Sequence, residues 1–364
     1  MELQKLIDNH PNDYIDVFKK NKLYVRKYTM LGLLLVKTYA KNEYDYLNNK
    51  WMLYCRGAII NIRTKRVICV PPIKSVKKEE IDISDYGDEY IYEPLIDGTM
   101  INLFYHNDEW MLSTRSNIGG KNSWDGKVPF CTLFNSVNGS EWYNKLKKDH
   151  SYSFVLQHYK NRIVTPVVKN TIYLVEMYKY IEDRIIQLKT NEMETIDGIH
   201  NNIQMKPGDI KYYIGDNIPY TIKGYTIKGD GCRIKWINPK YEYVSELKSN
   251  FNNKFLSYIE LRQEWKLSEY LKYFPEERYI FNIYRDRYSE IKNKLYNSYV
   301  DLNIKKSITI REVPYPLKPL IYEIHGYYKK EKHKINMAYI NEYMQNIPGK
   351  KVLFIYNYFF KGSE

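Results

Sequence analysis

Glu93-Pro-Leu-Ile-Asp-Gly98 joins two apolar runs, Tyr90 to Leu95 and Thr99 to Tyr105, through an Asp-Gly pair. Asp and Gly tolerate tight reversals, so the stretch reads as strand, turn, strand. The next run, Trp110 to Thr114, follows the polar His106-Asn107-Asp108 and ends at Thr114-Arg115-Ser116. Working outward, the same rhythm recurs at Leu31 to Thr38, Gly57 to Ile62, Arg66 to Val70, Ser153 to Gln157, Ile172 to Tyr178 and Tyr220 to Ile227. Turn residues separate these runs, among them Arg63 to Lys65 and Lys228-Gly229-Asp230-Gly231. Leu3 to Lys20 reads as one short helix with Ile7, Tyr14 and Phe18 on one side, and Gly139 to Lys148 as another. Strands that outnumber helices without alternating with them predict an α+β domain, not a parallel βαβ array.

Beyond Tyr243 the period changes. Ile280, Tyr284, Tyr288, Ile291, Leu295 and Tyr299 recur at spacings of three and four, which is helical. Phe255 to Tyr273 and Met337 to Ile347 are further helix candidates, and Pro314, Pro316 and Pro319 read as an extended connector ahead of the last. The expected division is therefore residues 1–245, mostly β, and residues 246–364, helical.

A chain of 364 residues suffices for two domains. The net charge of +13 favours a polyanionic partner and is not concentrated in any run, which points to folded surface and not a basic tail. The 39 tyrosines have two readings: codon bias, or aromatics interleaved with cations to stack bases and hold phosphates. Four cysteines (Cys55, Cys69, Cys131 and Cys232) show no C-x-x-C pair, which argues against a zinc site or disulfide framework. The longest apolar run, Met30 to Val36, is too short to span a membrane, and the first residues lack a signal peptide's apolar stretch. Free thiols and no export signal suggest a reducing, cytoplasmic setting.

Five segments carry a resemblance. They are Cys55-Arg56-Gly57 with Val67 to Pro72 and Lys74; Leu95-Ile-Asp97-Gly98; Thr114-Arg115-Ser116; Ser153-Phe-Val-Leu-Gln157 with Asn161-Arg162-Ile-Val164; and Lys223-Gly224-Tyr225-Thr226-Ile227 with Arg233-Ile-Lys235 and Asn238-Pro-Lys-Tyr241. In this order they resemble the motifs of the covalent nucleotidyltransferases, in particular the phage-type RNA ligases that repair tRNA. The resemblance covers about residues 50 to 245 and implies a ligase-type domain of antiparallel sheets with helices, followed by a helical appendage. It implies nucleotide or phosphate contacts from Arg56, Asp97, Gly98, Arg115, Arg162, Lys223, Arg233 and Lys235, with the Lys-x-Lys register open between Arg233/Lys235 and Lys235/Ile237.

The departures fall on the chemistry. Lys-x-Asp-Gly of the family becomes Leu95-Ile-Asp97-Gly98, and leucine has no lone pair with which to attack phosphorus. Gln157 and Lys223 stand where the family carries glutamates that hold ribose or metal. Together these exchanges add about the charge of one divalent ion to the cleft. The expectation is a metal-free, cofactor-free site in which the Lys223 ammonium replaces the cation beside Arg56, Arg115 and Lys235. Asp97 is expected to set its turn and pair with Arg115, and His158 to lie on the surface. The resemblance implies RNA as partner, with a phosphorylated end or a tRNA anticodon region as the part bound, or a nucleotide ligand. Lys74 and, in the second domain, Tyr327, Tyr328, Lys329 and Lys330 form the candidate RNA-contact set. Competing classes are an active ligase or capping-type enzyme with a displaced lysine, Lys74 or Lys121, and a structural subunit of a viral complex.

Overall fold

A computed structural model describes the chain except residues 40–41, 79–85, 87–89, 125, 183, 190–191, 207–208, 211–216, 230, 249–251 and 362–364. The expected turn at Lys228 to Gly231 includes Asp230, which lies outside the described residues. The chain forms two compact units, Met1–Ser245 and Glu246–Glu364.

The first unit opens with α1 (Glu2–Asn9) and α2 (Tyr14–Lys20). These replace the single helix expected over Leu3 to Lys20, because Pro11 lacks an N–H and keeps its predecessor out of helical geometry. Leu3, Ile7, Tyr14 and Phe18 are all buried in one cluster. An antiparallel sheet follows, with β1 (Tyr24–Tyr28), β2 (Leu33–Lys37), β3 (Arg56–Asn61) and β4 (Arg66–Cys69) in that order. Leu34, Val36, Ala58 and Ile60 face α1 and α2, while Leu33, Leu35 and Ile59 face a second cluster with Phe104. Burial on both faces explains why β2 reads as an unbroken apolar run.

Next come β5 (Val76–Lys77) and β6 (Ile91–Pro94), then the strands of the largest sheet. These are β7 (Thr99–His106), β8 (Glu109–Thr114), β9 (His150–Gln157), β10 (Thr171–Ile181), β11 (Arg184–Gln187) and β12 (His200–Asn201). Their order is β11-β10-β9-β7-β8, with β12 parallel to β10. The hairpin of β13 (Gly224–Gly229) and β14 (Cys232–Ile237) completes a third sheet, ordered β5-β14-β13-β6, in which β5 and β14 pair in parallel and the other described pairs are antiparallel. The sheets are thus mainly antiparallel. The helix expected over Gly139 to Lys148 lies earlier, as α3 (Phe130–Asn138), and packs Phe130, Leu133 and Phe134 on the largest sheet. Glu141–Lys145 is only a tight 3-10 turn that buries Trp142 and Tyr143. Helix α4 (Pro239–Leu247) ends this part of the chain.

The second unit is helical: α5 (Lys254–Gln263), α6 (Leu267–Tyr273), α7 (Arg278–Tyr299), α8 (Lys318–Glu331), α9 (Met337–Asn346) and α10 (Gly349–Phe360). Phe255, Tyr258, Phe281, Tyr284 and Tyr356 pack ring against ring in its core. Along α7 the expected Tyr284, Tyr288, Ile291, Leu295 and Tyr299 are buried, but Phe281 takes the place assigned to Ile280. The helix expected from Phe255 to Tyr273 breaks at Trp265, whose φ is +62°. The expected proline connector is also corrected. Pro316 sits in the turn Tyr315–Leu317, and Pro319 occupies the first turn of α8, where its missing N–H leaves no bond unmade. Among the described residues, no helix is long and apolar enough to cross a membrane.

Candidate functional site

Two glycines bring the site together. At Gly98 (φ +157°) a Cβ would lie 2.5 Å from the Leu156 carbonyl oxygen, so only glycine lets the turn after β6 rest on β9. At Gly57 (φ +110°) a Cβ would lie 2.9 Å from Arg115 Cα, so glycine lets β3 touch the chain just after β8. That approach sets Arg56 beside Arg115. Around them is a cavity of about 230 Å³ with walls from all three sheets of the unit. Leu95, Ile96, Met100, Val155, Val175 and Ile237 give it an apolar side. Arg56, Arg115, Lys223, Arg233 and Lys235 give it a cationic one.

The cations differ in what already neutralises them. Lys223 Nζ donates to Asp97 Oδ1 at 3.1 Å and lies 5.4 Å from the centre of the Tyr241 ring. Arg233 pairs with Glu176 at 3.5 Å. Arg56, Arg115 and Lys235, by contrast, face no carboxylate within ion-pairing distance among the described residues. Arg115 donates through Nη2 to the Thr38 carbonyl at 3.2 Å and the Thr38 hydroxyl at 3.4 Å, while its buried Nε has no partner. The buried Nε of Arg233 is also without one. Buried guanidinium donors left unmade are costly, and an incoming anion would satisfy them.

Crowding of like charge shows in the titration of these groups. Burial, then Arg56, Lys223, Lys74 and Lys77, pulls the Lys235 amine down to about 8. Burial, then Arg115 and Arg233, lowers Arg56 to about 10, which leaves it charged at neutral pH. Lys74 is lowered by burial, Arg56 and Arg115. Its ammonium stands 5.5 Å over the Tyr46 ring. Asp97 behaves in the opposite way. Burial raises its carboxyl, but Lys223, the Tyr241 hydroxyl and the Thr165 and Val164 amides outweigh burial and hold it below the ordinary range. Those two amides donate to Oδ2 at 3.0 Å each, and Tyr241 donates to Oδ1.

Several expectations need correction. Asp97 pairs with Lys223 and Tyr241, not with Arg115, which is turned toward Thr38. Gln157 does not line the cavity; its amide donates to the Asp97 carbonyl at 2.8 Å and fixes the turn. Arg162 is also absent from the walls, because its Nε and Nη2 donate to the Val164 carbonyl at 3.0 and 2.8 Å. His158 is buried instead of exposed: its Nδ1 accepts from the Lys160 amide, and its Nε2 lies 3.2 Å from Ser136 Oγ. Lys121 is exposed and does not line the cavity. Tyr327, Tyr328, Lys329 and Lys330 belong to α8 in the second unit.

Sequence reasoning also missed the polar layer beneath the cavity. Glu93 sits on β6, two residues before Leu95, and its carboxylate is 2.7 Å from Lys228 Nζ. Lys228 lies 3.4 Å from Glu176 and donates to the Val175 carbonyl at 3.0 Å. Asn202 donates to Glu93 at 2.9 Å. The available signal was a glutamate inside an otherwise apolar strand, Ile91–Pro94, where a buried charge calls for a partner. This layer does not suit the divalent ion that the family resemblance implies. Asp97, Glu93 and Glu176 are each engaged by a fixed cation, and no three metal-ligating side chains converge among the described residues.

No family model matches the chain, and no curated protein does. Solved structures do. A provisionally assigned ATP-dependent DNA ligase from Aquifex aeolicus aligns at a TM-score of 0.45 with 14% identity, over 76% of this chain and 72% of its own. An archaeal ATP-dependent RNA ligase aligns at 0.37 with 11% identity, over 72% and 70%.

Proposed function

We propose that the first unit is a nucleotidyltransferase-like domain that holds a phosphate of RNA, at a phosphorylated end or within a tRNA anticodon region, and transfers no nucleotide. One observation carries this reading. Arg56, Arg115 and Lys235 line a single cavity without a facing carboxylate among the described residues, and Leu95 lies where the motif would place an amine. Each residue has a part. Arg56 and Lys235 supply full charges, Arg115 supplies a planar donor fork held in place by Thr38, and the aliphatic wall takes the face of a base or sugar. Lys223 keeps Asp97 neutralised where a metal would otherwise be attracted. Protection of tRNA, or a part in RNA end processing, is the role consistent with such a site.

The test is titration of a 5′-phosphorylated RNA oligonucleotide in EDTA and again in Mg²⁺, alongside incubation with radiolabelled ATP or GTP. Binding should persist in EDTA, with no label retained by the denatured protein. A requirement for Mg²⁺, or a covalently held nucleotide, would overturn the reading.

A further inference from the structure

Arg115 of the cavity wall reaches the residue just past β2, a strand on which cations and aromatic rings are paired. Arg115, which lines the cavity, is hydrogen-bonded to Thr38, the residue after Lys37, and burial together with the Arg115 charge lowers the Lys37 amine. Lys37 Nζ stands 4.8 Å from the ring centre of Tyr24, its cross-strand partner on β1. Tyr39, exposed, meets Tyr24 edge to face at 5.8 Å. Farther along β1, Arg26 lies 4.9 Å over Tyr28. Tyr24, Arg26 and Tyr28 share one face, on which Arg26 is exposed while Tyr24 and Tyr28 pack partly against the cluster of Leu33, Leu35 and Phe104, and at about 3.3 Å per residue the two tyrosines stand about 13 Å apart. β1 is the edge strand of its sheet, and neither β1 nor β2 carries an acidic residue.

A lone cation–aromatic pair is ordinary packing. Here the pairs lie on the two strands whose end is hydrogen-bonded to Arg115 of the cavity, and their chemistry is that of a base-stacking, phosphate-tracking surface. We propose that the β1–β2 edge is the track along which a single-stranded polynucleotide leaves the cavity, with Lys37 and Arg26 beside its phosphates and Tyr24 and Tyr39 against its bases. The ligand of the site is then the end of a strand and not a free mononucleotide. This rests on the phosphate-binding reading of the cavity and adds a direction to it. Partial burial of Tyr24 and Lys37 keeps them ordered before the strand arrives, which lowers the entropic cost of binding.

The experiment compares uridine 5′-monophosphate with a 5′-phosphorylated hexauridylate, using the full chain. The hexamer should bind about tenfold more tightly, the factor that one stacked base supplies. In the double variant Lys37→Met, Tyr24→Leu, which keeps apolar bulk at both positions, the ratio of the two affinities should fall toward one. A thermal melt reports whether that variant folds. The wild-type salt dependence gives a second readout, with a slope steeper for the hexamer by about 0.7 for each further phosphate neutralised. Hexauridylate carrying a 3′-phosphate tells which end enters; tighter binding of either phosphorylated form than of the unphosphorylated strand supports the proposal. It is overturned by equal affinity for monophosphate and hexamer, by a ratio that the double variant leaves unchanged, or by equal binding of a blunt duplex. Failure of both monophosphate and hexamer to bind would overturn the cavity reading and this proposal with it. Tight monophosphate binding without a length effect would overturn this proposal alone.

Discussion

Because Lys235 is half-buried among Arg56, Lys223, Lys74 and Lys77, its amine titrates at about 8 in the folded chain against 10.5 when unfolded. Between those values the unfolded chain holds a proton that the folded chain lacks, so this residue makes stability rise with pH across that window. A bound phosphate reverses the local balance, since its negative charge favours the ammonium form. Above about pH 8, binding must therefore take up a proton, and affinity should fall by up to about tenfold per pH unit. Below about pH 6 the phosphate itself gains a proton and becomes a weaker ligand. The expected profile of affinity for a 5′-phosphorylated RNA is thus highest between about pH 6 and 8. Lys235→Arg, whose guanidinium stays charged, should remove the descending limb. A limb that survives this substitution would assign the titration to another group. The sequence showed Lys235 as one of a pair on a strand. It did not show that Asp97 is claimed by Lys223 and Tyr241, because the partner of a buried carboxylate depends on which loops converge on it.

Among the elements, β6, β10, β13 and β14 are coupled by charge. Glu93, Glu176, Lys228 and Arg233 come one from each and form a chain of buried ion pairs that ties the third sheet to the largest one beneath the cavity. Tyr178 adds a hydrogen bond to Glu176 at 2.7 Å. Lys228→Met leaves two buried carboxylates short of their cation and should cost about 3–5 kcal/mol in urea unfolding. Lys228→Met with Glu93→Met removes a charge of each sign and should cost less than the single change, which a double-mutant cycle would read. Additive costs would show that the network couples nothing. This network explains what was and was not legible. Strands that read as apolar runs, such as β2 and β7, could be read directly because burial on both faces leaves such a run. Helix α3 was placed too late because Trp142 and Tyr143 lend the following turn an amphipathic look, and α8 was hidden by Pro316 and Pro319 at its start. Lys228 looked like a turn residue in sequence, yet it is buried because two glutamates from distant strands meet it.

At the scale of the whole molecule, the net charge of +13 has to be divided between a site and a general field. A field raises association with any polyanion and is screened by salt, whereas a site discriminates by structure. The second unit tests the division, because α8 presents Tyr327 and Tyr328, partly exposed, beside the exposed Lys329 and Lys330 in its last turns. Tyr327 is stacked on Tyr339 at 4.8 Å, so that ring is held in place while one edge remains open to a base. If this patch takes phosphates of its own, a strand confined to the cavity and the β1–β2 edge gains nothing from it. Lys329→Ala with Lys330→Ala should then lower the salt slope for a twenty-nucleotide RNA by about 1.4, at about 0.7 for each phosphate no longer neutralised, and leave the slope for a hexamer unchanged. An equal decrease for both lengths would mean that the lysines act only through the overall field. No change for either would leave Lys329 and Lys330 without a part in the proposed RNA binding.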